Sequence, residues 1–288
     1  MLETNNIIAY QGLEGAYSHL SCRHVYPNMQ AVACATFAEA MFMVERGDAK
    51  LAMIPLENST AGRVEEMYRL MPKTHLHIIG EHYEAVNHCL LAIKGTCLEQ
   101  LTTVTSHPQA LAQCDQNIKQ LNLTPVAGYD TAGIASEVSK SDDVSRGAIA
   151  SSLAAELYNL DILQENFQDV TGNTTRFLIL SKEVGLADYQ ENVSYITSLF
   201  FTVRNIPAAL YKALGGFATN GINMVKLESY MGSGAPNGSA FHLDIEGHPD
   251  ERMMQYALQE LGFFTQELRI LGAYPAHSFR ASNRALPE

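Results

Sequence analysis

Thr171-Gly172-Asn173-Thr174-Thr175-Arg176-Phe177 places hydroxyls, an amide and a guanidinium directly ahead of the apolar run Leu178-Ile179-Leu180. Gly172-Asn173 reads as a turn and the apolar run as a buried strand. Polar groups at such a junction are fixed by the strand and presented by the loop, which suits hydrogen bonding to a ligand. Side chains alternate along a strand, so Thr174 and Thr175 face opposite ways and only one serves a given cavity. The same pattern also suits a plain turn-to-strand junction, because threonine favours strands.

Other hydroxyls follow predicted strand ends. Ser18, Ser59-Thr60, Ser106, Thr131 and Ser151 each stand at or near a predicted helix start. In an open α/β sheet, ligands bind beyond the carboxyl ends of the strands, where helix N-termini offer free N–H groups and suit carboxylates. Together with Arg176 and Glu57-Asn58 these positions describe a site for an anion. Singly, each hydroxyl is equally a simple N-cap.

The elements that must position them alternate. Strands are predicted near 7–10, 30–35 and 51–54, each followed by a helix, and Thr36 with Glu39 forms a capping box. The long strand-like run 75–93 could cross between two lobes. Further strands near 101–105, 123–127 and 147–150 again precede helices, and 161–167 reads as extended. This order predicts a mostly parallel sheet in two lobes with a cleft. The acidic stretch 183–192 reads as a linker. Beyond it the pattern is β-α-β-β-α-β, a ferredoxin-like module. Its first helix is predicted from Asn205 with Pro207 in the first turn, and 232–238 reads as a glycine-rich loop. The tail after Tyr274 has little periodicity.

The chain has 288 residues, 47% hydrophobic and 17% charged, with net charge −12. That length predicts about two domains, and the acidity argues against nucleic-acid or anionic-membrane partners. Met1-Leu2-Glu3-Thr4-Asn5-Asn6 has no signal-peptide character, and the five cysteines have no CxxC spacing. Both point to a cytoplasmic protein with reduced thiols. His75-Leu76-His77 could share a strand face towards a metal, but no third ligand is in view.

Four stretches carry a resemblance: Gly12-Leu13-Glu14-Gly15-Ala16-Tyr17-Ser18, Ile54-Pro55-Leu56-Glu57-Asn58-Ser59-Thr60-Ala61-Gly62, Ser106-His107-Pro108-Gln109-Ala110-Leu111-Ala112-Gln113-Cys114, and the opening Asn173-Thr174-Thr175-Arg176-Phe177. With the C-terminal module, the chain resembles monofunctional prephenate dehydratases that end in an ACT domain. The resemblance implies a two-lobed catalytic domain like a type II periplasmic binding protein over 1–184, with lobes 5–80 plus 165–182 and 81–164. It implies an ACT domain over 193–275 and a tail over 276–288. The implied reaction converts prephenate to phenylpyruvate, water and carbon dioxide with no metal or organic cofactor. Thr175 would donate to the departing hydroxyl. Arg176 would touch substrate if the strand has not begun there, and otherwise support the structure. Ser18, Asn58, Ser59, Ser106, Gln109, Thr131 and Asn173 are the implied substrate contacts. Glu57 is expected to hold its loop by pairing with a cation, and His107 to orient its neighbours.

In the C-terminal module, Asn205, Ala208, Ala209, Leu210, Asn223, Glu228 and Ser229 match the positions that bind L-phenylalanine as effector in the family. Ala208 replaces the usual glycine, and Tyr230-Met231 replace the usual Arg-Pro. ACT modules pair, so a dimer or tetramer is implied. The competing functions are an arogenate dehydratase, which runs the same elimination on an amino-bearing substrate, and a cytoplasmic amino-acid sensor without chemistry.

Overall fold

A computed structural model of the chain describes residues 6–184, 186–231 and 239–284. The glycine-rich stretch 232–238 lies outside the described residues.

Strands and helices alternate as the apolar spacing requires. The chain begins β1 (Ile7–Gln11), α1 (Tyr17–Val25), β2 (Gln30–Cys34), α2 (Phe37–Arg46), β3 (Leu51–Asn58), β4 (Gly62–Arg63) and α3 (Glu65–Leu70). It continues β5 (His77–Ala85), β6 (Cys89–Ile93), β7 (Thr103–Ser106), α4 (Pro108–Gln113), α5 (Asp115–Gln120), β8 (Thr124–Ala127) and α6 (Thr131–Ser139). Then come β9 (Arg146–Ala150), α7 (Ser152–Tyr158), β10 (Leu160–Gln164) and β11 (Thr174–Ser181). The last stretch is β12 (Tyr195–Val203), α8 (Ala209–Thr219), β13 (Met224–Met231), β14 (Ser239–Glu246), α9 (Arg252–Phe264), β15 (Thr265–Pro275) and α10 (Ser278–Arg284). Two compact units result, residues 1–64 with 82–177 and residues 65–81 with 178–288. No helix among the described residues is long and apolar enough to cross a membrane.

The first sheet has the order β2-β1-β3-β11-β5, with β4 paired to β3; the second has the order β10-β6-β9-β7-β8. β1 runs parallel to β2 and β3. In the second sheet β7 is parallel to β8 and β9, but β6 is antiparallel to β9 and β10. The expectation of a mostly parallel sheet is corrected: both layers are mixed. A strand such as β6, Cys89-Leu90-Leu91-Ala92, is apolar on both faces, so its sequence does not report direction. The long run 75–93 is likewise two strands. The chain leaves β5 at Val86, whose N–H donates to the Asn173 carbonyl (2.8 Å), and the His88 carbonyl accepts from Phe167 (2.7 Å).

The second unit holds a four-stranded antiparallel sheet in the order β13-β14-β12-β15. Alternation along β12 sends Leu199, Phe201 and Val203 into a core with Phe217, Leu243 and Leu261. Residues of the 65–81 segment belong to this unit. Arg269 donates to the carbonyls of Met71, Pro72 and Thr74 at 2.9, 3.2 and 2.7 Å. The stretch read as a linker is partly anchored here, since Leu186 bridges to Ala273 and the Ala187 carbonyl lies 2.7 Å from His248 Nε2. The tail is more regular than its sequence pattern suggests: α10 sets Arg280 against Glu81 at 2.6 and 2.8 Å.

α8 starts at Ala209, not at Asn205, because Ala208 holds the left-handed conformation (φ 57°, ψ 32°). That backbone cannot continue a right-handed helix, and it costs an L-residue with a Cβ roughly 1–2 kcal/mol. We predict that Ala208→Gly stabilises the protein by about 1 kcal/mol, read as a higher urea midpoint at unchanged m-value.

Candidate active site

The site begins at the end of β3. Asn58 is followed by a tight turn to β4, not by a helix. Its side-chain carbonyl accepts from the backbone N–H groups of Thr60 (3.0 Å) and Ala61 (2.8 Å), which settles the orientation of the amide. The other end must therefore donate. Asn58 Nδ2 gives hydrogen bonds to Asn173 Oδ1 (2.7 Å) and to Thr175 Oγ1 (2.9 Å). The start of β11 is locked alongside: Ser59 N–H donates to the Thr174 carbonyl, and Thr174 N–H to Ser59 Oγ, both at 2.9 Å.

Because β11 has already begun at Thr174, the strand alternation decides the Arg176 question. Thr175 turns into the cavity, whereas Arg176 is 2% exposed and its Nη1 lies 3.2 Å from Glu57 Oε1. Glu57 and Asn58 alternate in the same way, so the ion pair occupies the opposite face from the Asn58–Thr175 contact.

The facing wall comes from α4 and the segment after β5. His107 caps α4, its Nδ1 accepting from the Gln109 N–H (3.2 Å). Gln113, one turn beyond Gln109, takes the Asn173 amide on Oε1 (3.2 Å) and lies 2.9 Å from His88 Nε2. An amide oxygen only accepts, so His88 carries its proton on Nε2 and leaves Nδ1 facing the Tyr17 hydroxyl (3.1 Å). Tyr17 also reaches the Asn87 carbonyl (2.7 Å). Burial lowers the His88 pKa; the Gln113 bond raises it only in part, and the ring is neutral near pH 7. Gly15 sets the Tyr17 loop. It has φ +87°, and a Cβ there would meet the Ala154 backbone at 3.0 Å. Its carbonyl accepts from Ser151 Oγ (2.6 Å).

These groups surround a cavity of about 540 Å³. Of the residues singled out in the sequence, Asn58, His107, Gln109, Thr131, Asn173 and Thr175 line it. Ser18, Ser59, Ser106 and Arg176 do not. Ser106 is fully buried, with its hydroxyl donated to the Ile149 carbonyl (2.6 Å). The alternative reading of each hydroxyl as a simple N-cap holds for Ser151 alone. Ser151 is an N-cap, but α1 follows Ala16, α4 follows His107, and α6 follows Asp130, whose carboxylate accepts from Gly133 N–H. Tyr17, Arg63, His88, Gln113 and Asp130 were missed as lining residues. The four-residue spacing from Gln109 could have flagged Gln113. Nothing local flags Arg63, which depends on the β3–β4 turn.

The effector positions do not converge within one chain. Residues 205–210 follow the end of β12 and Glu228-Ser229 lie in the second half of β13, whereas Asn223 precedes β13 and donates to Glu246 (3.1 Å). Both strands run antiparallel to β14, so Asn223 is at the other end of the sheet.

Chemically, the cavity offers the Thr175 hydroxyl, alongside those of Tyr17 and Thr131, and the Thr175 oxygen is occupied by an amide donor. Among the described residues it has no acceptor, so its proton is available to a ligand oxygen. Amides and Arg63 are placed to hold polar and anionic groups around it.

The family model for prephenate dehydratase matches residues 8–184. The bifunctional N-acyl-homoserine lactone acylase/prephenate dehydratase of Komagataeibacter europaeus is 47% identical over 277 residues, 95% of this chain and 97% of that protein. Arogenate dehydratase/prephenate dehydratase 1 of Arabidopsis thaliana, a chloroplastic protein, is 39% identical over 282 residues, 93% of this chain and 71% of its own. The structure of prephenate dehydratase in complex with L-Phe from Arthrobacter aurescens superposes with a TM-score of 0.84 at 25% identity, covering 97% of each chain. The mixed α/β architecture matches that structure, and the chain belongs to the prephenate dehydratase family.

Proposed function

We propose that this chain dehydrates and decarboxylates prephenate to phenylpyruvate. The observation that carries the proposal is the Asn58 amide bound to Thr175 Oγ1 at 2.9 Å. In the reaction the ring carboxylate leaves as carbon dioxide. Its electron pair moves through the ring and expels the ring hydroxyl. One proton completes the water, and the ring becomes aromatic. Thr175 gives a hydrogen bond to the departing oxygen and passes it the proton, which solvent restores. A threonine hydroxyl is a weak acid, so orientation and fixed dipoles supply most of the rate. Gln109, Thr131 and Asn173 hold the substrate with Arg63, Asn58 acts through Thr175 because its amide is fully bonded within the chain, and Glu57–Arg176 braces the strand that carries Thr175. Support for a neutral, positioning His88 comes from its bonds to Gln113 and Tyr17.

Arogenate is the second substrate reading. It is favoured by Asp130 among the lining residues, a carboxylate that could meet an ammonium group. The Komagataeibacter relative also bears an acylase name. Acyl transfer needs a base beside its nucleophile, and among the described residues the Thr175 hydroxyl contacts only the Asn58 amide.

We assign residues 1–184 to catalysis in a two-lobed, binding-protein-like domain, 193–275 to an ACT domain and 276–288 to a tail. The ACT module would bind L-phenylalanine in a homodimer or tetramer. The sheet order β13-β14-β12-β15 and the L-Phe complex of the Arthrobacter relative support this assignment.

Two measurements test these assignments. With purified protein, Thr175→Ala should lower kcat about 10²–10⁴-fold on whichever of prephenate and arogenate the wild type turns over faster, with KM changed only a few-fold. An unchanged kcat removes Thr175 from the reaction. Calorimetric titration with L-phenylalanine should give saturable heat and a change in turnover; neither effect appearing would remove the effector assignment.

A further inference from the structure

We propose that His24, His82 and Glu84 form a binding site for a single zinc ion, separate from the cavity that holds Thr175. His24 sits in the last turn of α1, while His82 and Glu84 are two apart on β5 and so share one face. The three side chains offer ligand atoms that all lie within 4.8 Å of one another. Glu84 Oε2 is 2.8 Å from His24 Nδ1 and 3.0 Å from His82 Nε2. Ser21 Oγ stands 3.5 Å from the same oxygen. Tetrahedral zinc with bonds of 2.0–2.1 Å separates its ligand atoms by roughly 3.3 Å, so small side-chain shifts would open the site.

The donor set suits the metal. Two imidazoles and one carboxylate are a known ligand combination for zinc, and imidazole disfavours magnesium and calcium. The Glu84 side chain is 8% exposed and carries its charge among groups that are neutral when the histidines are unprotonated; a divalent ion would offset that charge. The His24 side chain is 54% exposed, which leaves an entry path and a fourth position for water. None of the three ligands lines the catalytic cavity. The site nevertheless joins two elements of its wall, because α1 carries Tyr17 and β5 is followed by Val86 and His88. Zinc would therefore clamp α1 to β5 and act on stability. The pair His75 and His77, suspected in the sequence, takes no part in this cluster.

The test uses the full chain, stripped with a chelator and titrated with zinc chloride against a chromogenic competitor. One equivalent should bind with a dissociation constant at or below the micromolar range. His24→Ala and His82→Ala should each weaken it at least about tenfold, as loss of a ligand requires. Zinc at about a hundred times Kd should raise the wild-type Tm by about 5 °C, and should leave His24→Ala unmoved. Because His24 is half exposed, that variant is expected to fold even if His82→Ala does not. Cys97→Ser should bind as the wild type, which excludes the exposed thiol. No saturable equivalent, or equal affinity in the wild type and His24→Ala, would overturn the proposal.

Discussion

The arrangement depends on one side-chain amide. Asn58 has two donors and a carbonyl oxygen with two lone pairs, and the structure uses all four. The backbone of Thr60 and Ala61 takes the oxygen, so the nitrogen has only Asn173 and Thr175 to meet. Filling the acceptor side of Thr175 leaves its proton as the group offered to the cavity. An aspartate at position 58 could hold the turn, but it would present an acceptor to Thr175 and pull the hydroxyl proton inward. The identity of one residue therefore sets both the shape of the loop and the direction in which the Thr175 hydroxyl can donate.

Strand alternation converts that local constraint into two separate faces. Asn58 and Thr175 look into the cavity; Glu57 and Arg176 meet behind it at 3.2 Å. The ion pair joins β3 to β11, the same strands that Ser59 and Thr174 stitch through reciprocal hydrogen bonds. From Asn173 the network crosses through Gln113 to His88 and Tyr17, linking the strand wall to α4 and α1. Each bond is worth on the order of 1 kcal/mol, and a connected network fixes one geometry more firmly than its separate bonds would.

Much of this was legible in the sequence where the signal is local. Asn58, Gln109, Thr131, Asn173 and Thr175 occupy strand ends or helix starts, and such positions are exposed to a cleft by the chain pattern alone. The βαββαβ order of the C-terminal module follows in the same way from apolar alternation and turn residues. Ser106 failed for a physical reason: a hydroxyl at a strand end can satisfy the neighbouring strand's carbonyl, and that neighbour, Ile149, is set by tertiary pairing. His88 was hidden because an apolar run does not reveal where one strand stops and the next begins. The start of α8 was misplaced because Ala208 adopts a conformation that its side chain disfavours. His24 and Glu84 are brought together across α1 and β5, and no spacing rule links residues so far apart.

The central claim is that Asn58 acts through Thr175, and a double-mutant cycle on kcat measures it directly. Asn58→Ala, Thr175→Ala and the double variant would be compared with the wild type on the preferred substrate, with folding checked by circular dichroism. If the amide works by orienting the hydroxyl, removing it after Thr175 is gone costs little, and the double variant turns over within about threefold of Thr175→Ala alone. Losses that multiply independently would show that Asn58 contributes by a route of its own and would contradict the account.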